Sequence, residues 1–373
     1  MKVIFPLNFY YPLIGGAEIS AHNLANQLIS KYSWKIFVVT NSWKKFKKNE
    51  KIDRVQIVRF NPISVNKKSI GYFLNIIPFI YSITKIVKKE RIHVLHTHSH
   101  IFALFSSVIV GKIQKKPVIH TVAGSDVFIH PKNPIYRAIM TFLFNRSNII
   151  IAKSRSLLNQ TQKFVKDSQK VFLISNAINF PKESKSKNEK DGSLDIYFIG
   201  RLEEVKGVYI LIEAFQKAYF YSQNKLKLYF IGDGSERKNL EHVVSEKELE
   251  NGVSFLGWRK NPIKYLYGSN RILVLPSFSE GFPNILLEAA AAQCPIIASS
   301  VGGMKEMVVN MNNGILIPPK NVELLFKAII FYVENPQKRE EFAAASFIYN
   351  KTKFNWNVVL PKYFEVYSHL LSQ

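Results

Sequence analysis

Short apolar runs recur along the chain. Each is closed by Gly, Pro or a polar cluster, and most are followed by a longer segment with apolar residues at helical spacing. In the first half the runs at 2–7, 35–40, 55–60, 92–96, 117–121, 148–152 and 171–174 predict strands. Residues 18–32 carry Ile19, Leu24, Leu28 and Ile29 on one helical stripe. Residues 101–111 read as a buried helix, and Ser154 as the N-cap of a helix reaching residue 166. Residues 182–193 contain no apolar side chain and read as a linker. The same alternation then restarts, with strands at 195–199, 226–231, 253–256, 272–276 and 295–298 and helices at 208–219, 236–247 and 285–293; residues 314–317, Pro318-Pro319 and the remaining helices finish the domain. Alternating strands and helices predict an α/β protein with doubly wound sheets, and 373 residues exceed what one core usually serves. Two domains are expected, 1–180 and 194–353, followed by an aromatic, amphipathic segment at 354–373.

One stretch departs from this pattern. Residues 69–89 are rich in apolar and aromatic side chains and end in lysines, but Asn75, Pro78, Ser82, Thr84 and Lys85 interrupt them too often for a membrane span. Two readings fit: an interfacial helix with basic flanks, or a buried domain helix kinked at the proline.

Charge separates the halves. The formal net charge is +24; residues 1–178 hold 27 Lys and Arg against 6 Asp and Glu, a balance of +21, whereas 179–373 hold 24 against 21, a balance of +3. A basic half points to polyanions: nucleic acid, an anionic membrane surface or a phosphorylated acceptor. No aromatic–basic platform motif accompanies the charge, which argues against nucleic acid. The single cysteine, Cys294, excludes an internal disulfide and a Cys-based zinc site, and its apolar setting makes it a buried, inert thiol. The first residues read as a strand rather than a signal peptide, so a cytoplasmic location is the default expectation.

Candidate chemistry gathers at loop–helix junctions. Residues 277–303 place Glu280 and Glu288 eight positions apart around Gly281, Phe282 and Pro283, with Asn284 and Ile285 opening the helix. A helix N-terminus is a natural seat for phosphate, and two acids beside it suit hydroxyls of a sugar and a ribose. Gly200-Arg201-Leu202, followed by Lys206-Gly207, sets two cations on a loop that opens a helix, which can neutralise a diphosphate. Near the start, Gly15 and Gly16 follow the first strand and precede Glu18, as in nucleotide-binding folds. The strand at 117–121 delivers His120 and, beyond Gly124, Asp126 at its carboxyl end, where open α/β sheets bind ligands. His96, His98 and His100 alternate and would share a strand face, but no Asp or Glu neighbours them, so metal is not expected.

Taken together, the Glu280–Glu288 spacing, Gly200-Arg201-Leu202 with Lys206-Gly207, Gly15-Gly16-x-Glu18 and His120-x-x-x-Gly124-x-Asp126 resemble the motifs of the retaining family-4 glycosyltransferases. The resemblance implies the GT-B architecture: two Rossmann-like doubly wound domains facing across a cleft, the first binding acceptor, the second binding a nucleotide diphosphate sugar. The segment 354–373 then packs back on the first domain. It implies that Arg201 and Lys206 grip the diphosphate, that Glu280 contacts the donor sugar and that Glu288 holds the ribose. The amides of residues 281–285 contact phosphate and sugar, with the Gly15–Gly16 loop across the cleft. His120 lies beside the sugar, Asp126 lines the same pocket, Glu18 faces acceptor or sugar unless it only complements its helix dipole, and Trp258 or Arg259 borders the base. The 302–303 glycine loop lies near the donor. Family members carry Asn-Gly-x-Asp where this chain has Asn176, Ala177 and Asn179. No metal or cofactor is implied beyond the donor, for which UDP is favoured. The acceptor expected from the basic first domain is a glycan or lipid-linked species at a membrane. An epimerase of the same fold is the alternative within enzymes.

Overall fold

A computed structural model describes residues 1–11, 15–42, 46–62, 74–98, 100–128, 133–182, 194–268 and 270–372. The chain divides into two compact units, Met1–Asn176 with Trp356–Gln373, and Ala177–Asn355. Most of the linker expected at 182–193, together with Lys44, Lys45, Ser99 and residues 69–73 of the apolar stretch, lies outside the described residues.

Unit 1 is built on an eight-stranded sheet. In chain order its strands are β1 (Lys2–Pro6), β2 (Lys35–Asn41), β3 (Asn49–Ile52), β4 (Val55–Phe60), β5 (Val94–His98), β6 (Val118–Val122), β7 (Ile149–Ala152) and β8 (Val171–Leu173). They lie in the order β3-β4-β2-β1-β5-β6-β7-β8, and every pair is parallel except β3–β4. The antiparallel edge strand β3 occupies part of what reads in sequence as a basic loop. It carries Glu50, whose carboxylate pairs with the buried Arg59 of β4. The strands between helices bury Ile4, Phe37, Val39, Leu95, Ile150 and similar side chains in one core. That core also takes Phe79, Ile83 and Val87, one stripe of the helix Ile76–Glu90. Pro78 sits in the first turn of that helix, where its missing N–H is not needed, so the helix requires no kink there. A helix at Pro134–Arg146, capped by the Asn133 side chain, has no counterpart in the sequence reading. The helix Trp356–Ser372 completes this unit, burying Trp356, Leu360, Tyr363 and Tyr367.

Unit 2 holds six parallel strands: β9 (Asp195–Ile199), β10 (Lys227–Ile231), β11 (Val253–Gly257), β12 (Arg271–Leu275), β13 (Ile296–Ser299) and β14 (Ile315–Ile317), in the order β11-β10-β9-β12-β13-β14. Both sheets are doubly wound. The order reverses between β1 and β5 in unit 1 and between β9 and β12 in unit 2. At such reversals the loops leaving adjacent strands part to opposite faces and open a crevice at the carboxyl ends.

Three element boundaries differ from the sequence reading in ways that matter. β5 runs two residues later than residues 92–96, which draws His98 into the strand beside His96. The helix after Ser154 stops at Gln162 rather than 166. A short helix at Ser125–Phe128 replaces a loop and turns Asp126 inward.

Candidate active site

In unit 2 the loops leaving β9 and β12 meet. The first contains Arg201 and a 3-10 turn at Glu204–Lys206; the second runs from Pro276 to Pro283. Their backbones are joined where the Phe278 N–H donates to the Val205 carbonyl, 2.8 Å. Two glycines make the approach possible. Gly207 adopts φ +71°, and a β-carbon there would stand 2.1 Å from the Pro276 carbonyl oxygen. Gly302 adopts φ +51°, and a β-carbon there would stand 1.7 Å from the carbonyl oxygen of Glu280. No side chain fits either position, so backbone closeness dictates both residues. The Gly303 N–H donates to the Gly281 carbonyl at 3.0 Å, so the 302–303 loop buttresses the turn that holds Glu280.

This arrangement brings Lys206 and Glu280 together, with Lys206 Nζ 2.6 Å from Glu280 Oε1. The Ser277 hydroxyl donates to the same oxygen at 3.0 Å. The two side chains are 17% and 11% exposed, so the pair is shielded but reachable. Arg201 is differently placed: its guanidinium is 69% exposed and pairs with Glu203. Gly281 and Phe282 are buried, the Phe282 ring packing edge-on against Phe354 at 5.2 Å. Pro283 immediately precedes the helix Asn284–Ala291, which Asn284 and Ile285 open. Glu288 is half-buried on that helix, and loss of water pushes its carboxyl pKa upward. Trp258 is exposed at the carboxyl end of β11. Cys294 is fully buried and its thiol is pushed up to about 12, an inert group.

Unit 1 forms a second cluster of polar groups, at the carboxyl ends of β1, β5, β6 and β7. Glu18 accepts from the Gly15 N–H at 2.8 Å, closing the N-terminus of the helix Gly16–Tyr32. Its other oxygen lies 3.4 Å from His100 Nε2. Burial would raise the Glu18 pKa, but His100 and the backbone donors outweigh it and hold the carboxyl low. The Asp126 carboxylate accepts from the Gly124 N–H at 2.7 Å and the Ala123 N–H at 3.1 Å, with His120 Nε2 at 3.7 Å. That last separation is too long for a hydrogen bond. Burial again pushes upward, and His120 with the two amides prevails, so Asp126 stays ionised. His120 Nδ1 shares a 2.7 Å hydrogen bond with the Thr97 hydroxyl.

The three alternating histidines do not converge. His96 is held by the Tyr367 hydroxyl at 2.5 Å and by Thr121 Oγ1 at 2.7 Å. His98 stacks on His96 with ring centroids 4.2 Å apart, and among the described residues neither of its nitrogens has a hydrogen-bond partner. Burial holds both rings well below the ordinary histidine range, so both are neutral. His100 stands outside, before the helix Ile101–Gln114. Among the described residues no three His, Cys, Asp or Glu side chains are grouped to hold a metal. Sequence reasoning missed Ser277, the His100–Glu18 contact and Lys153, which follows β7 directly and is buried. Their common signal was position: each lies just beyond a parallel strand or at the head of the helix after one.

Two family models match end to end: glycosyltransferase family 4 over residues 14–180, and glycosyl transferases group 1 over residues 179–347. The chain is 29% identical to an uncharacterized glycosyltransferase of Methanocaldococcus jannaschii over 99% of both chains. It is 26% identical to the N-acetyl-alpha-D-glucosaminyl L-malate synthase of Bacillus anthracis, over 82% of this chain and 81% of that protein. Among solved structures, Anabaena HepE in complex with UDP-glucose superposes with a TM-score of 0.80 at 19% identity, covering all of both chains. The two models, in this order and on these two sheets, make the chain a member of the family-4, group 1 glycosyltransferases of the GT-B fold.

Proposed function

We propose that this glycosyltransferase moves a hexose or N-acetylhexosamine from a UDP-sugar to a hydroxyl of a glycan or lipid-linked acceptor, with retention of anomeric configuration. The observation that carries the reading is the meeting of Lys206 and Glu280 at the strand-order reversal of unit 2, at the head of the helix bearing Glu288. A UDP-sugar is supported by the likeness to HepE, and an N-acetylhexosamine by the product named for the Bacillus anthracis relative.

In this mechanism the donor diphosphate takes Lys206 from Glu280 and draws in the exposed Arg201. Those two charges, with the dipole of the helix Asn284–Ala291, stabilise the negative charge that grows on the leaving group. Two cations supply what a divalent metal would otherwise provide. Glu280, still held by Ser277, turns its carboxylate to the sugar hydroxyls. Glu288, poorly hydrated, accepts hydrogen bonds from the ribose. His120 and Asp126 are unit 1's contribution to sugar recognition. The acceptor oxygen bonds to the anomeric carbon on the face from which the diphosphate departs, and its proton passes to the departing phosphate oxygen.

A membrane-borne acceptor is supported by two exposed stripes in unit 1. Ile77 and Tyr81 project from the helix Ile76–Glu90 beside Lys85, Lys88 and Lys89. Ile135, Ile139 and Phe142 project from the helix Pro134–Arg146. Apolar side chains beside lysines on the first helix, and beside the exposed Arg137 and Arg146 on the second, suit an anionic bilayer surface, the inner face of a plasma membrane where envelope glycans are assembled. No helix among the described residues is long and apolar enough to cross a membrane.

The test is a UDP-release assay on UDP-, GDP- and ADP-sugars, with product anomeric configuration read by NMR. Turnover of GDP- or ADP-sugars alone would refute the UDP assignment, and an inverted product the retaining mechanism. Co-sedimentation of the wild type and Ile135→Glu with anionic and neutral vesicles tests the surface. Equal partition of the wild type into both would refute it.

A further inference from the structure

Among the described residues, Lys153 is the one buried cation that the donor chemistry leaves unused in unit 1's polar cluster. It follows β7 at the carboxyl edge of the sheet, in the run β1-β5-β6-β7 that also delivers Glu18, His98, His120 and Asp126. The residue is 4% exposed, and among the described residues no hydrogen bond or ion pair reaches its ammonium. The nearby carboxylates are already committed. Asp126 accepts from two backbone amides, and Glu18 from the Gly15 N–H while facing His100. Both act on Lys153 from beyond contact distance, and burial, the larger influence, draws its pKa down to about 8. On the neighbouring strands are ring nitrogens that no hydrogen bond reaches among the described residues, both of His98 and Nε2 of His120, the latter 3.7 Å from the Asp126 carboxylate; both residues are almost wholly buried.

An ammonium on a buried side chain with no counter-ion in contact is costly to keep, and an apolar residue of the same length would remove that cost. The cost is recovered when an anion arrives. Lysine offers a compact charge with three donors, suited to oxygens of a carboxylate or phosphate group, and unpartnered imidazoles can add further donors. We propose that Lys153 receives an anionic group of the acceptor, carboxylate or phosphate, at the carboxyl edge of the unit 1 sheet. The assignment rests on unit 1 being the acceptor-binding half of the transferase. It makes the acceptor a charged molecule on grounds independent of the membrane.

The full-length protein is titrated calorimetrically with inorganic phosphate and with malonate, first alone and then with saturating UDP, which fills the diphosphate seat. The variants are Lys153→Met and Lys153→Arg. With UDP present the wild type is expected to bind one of the two anions, Lys153→Met to bind it at least tenfold more weakly, and Lys153→Arg to keep most of the affinity. Preference for phosphate marks a phosphorylated acceptor, and preference for malonate a carboxylate one. A wild type that binds neither anion, or a Lys153→Met variant that binds like the wild type, would overturn the assignment. UDP affinity is expected to be the same in all three proteins. Its absence in the wild type would sink the donor reading and not this one, since anion binding is then read without nucleotide. If Lys153→Met does not fold, sulfate binding by the wild type serves instead. It should weaken as pH rises through about 8, because Glu18 and Asp126 are already ionised and His96 and His98 already neutral. A flat profile would overturn it equally.

Discussion

Lys206→Met separates two roles that one side chain holds in the same place. In the structure Lys206 neutralises Glu280 at 2.6 Å, with both side chains mostly but not fully buried. A charge-assisted hydrogen bond is worth about 1.5–3 kcal/mol net, and the residual exposure and the surviving Ser277 bond bring this towards about 1–2 kcal/mol of folding stability. Adding Glu280→Gln to Lys206→Met removes the stranded carboxylate, so the double variant should recover to within about 0.5 kcal/mol of the wild type. Nucleotide binding should not recover with it. If Lys206 and Arg201 hold the diphosphate as proposed, losing one of the two cations costs about 2–3 kcal/mol, or about 30- to 150-fold in UDP affinity, in single and double variants alike. Urea denaturation reads the first quantity and isothermal titration with UDP the second. UDP affinity within twofold of the wild type in Lys206→Met would refute phosphate binding by this lysine. Recovery of UDP affinity in the double variant would show that Lys206 acts only by holding Glu280 in place.

Three further outcomes are expected. Gly302→Ala should cost about 1–3 kcal/mol, because the backbone is left-handed there and the new methyl meets the Glu280 carbonyl; a thermal melt together with UDP titration should show both stability and binding reduced. Tyr367→Phe should cost about 1–2 kcal/mol by stranding His96 Nδ1, lowering the melting temperature without changing UDP affinity. The third concerns pH. The folded-state pKa of Lys153, about 8 against an ordinary 10.5, means that the unfolded chain holds more protons between those values. Stability should therefore rise with pH in that window by roughly 1.4 kcal/mol per unit from this group. Denaturation of the wild type and Lys153→Met between pH 8 and 10 should show that difference, and parallel curves would count against it.

Much of the candidate site in unit 2 was legible because its charged residues lie in contiguous loops. Glu280 and Glu288, and Arg201 and Lys206, sit at loop–helix junctions whose strands are short apolar runs, and the parallel order follows from alternation. What sequence could not supply was the partner of each charge. That Lys206 would meet Glu280, 74 positions away, depends on β9 and β12 being neighbours, which only the reversal of strand order decides. In unit 1 the strand register was the obstacle. A two-residue shift of β5 decides whether His98 is core or loop, and alternating His and Thr carry no hydrophobic signal to fix it. β3 was hidden because an edge strand made of Asn, Glu, Lys and Ile looks like a solvated loop. Lys153 was passed over for the opposite reason: among abundant lysines, nothing marks a buried one except its place after a strand.

The helix Trp356–Ser372 belongs to unit 1 although the whole of unit 2 is translated before it. Unit 2 is thus an insertion, entered after Asn176 and left before Trp356. Near the crossings the entering and leaving backbones are tied together, the Ile178 N–H donating to the Phe354 carbonyl at 3.1 Å. On the ribosome, unit 2 can close as soon as Asn355 emerges. Unit 1 must wait, with His96 and the face that later receives Tyr367 uncovered, although its strands were made first. The order of synthesis and the order of completion are therefore inverted. A nascent chain arrested just after unit 2 would hold a finished second unit and an unfinished first one, open to chaperones and proteases in the part that was oldest.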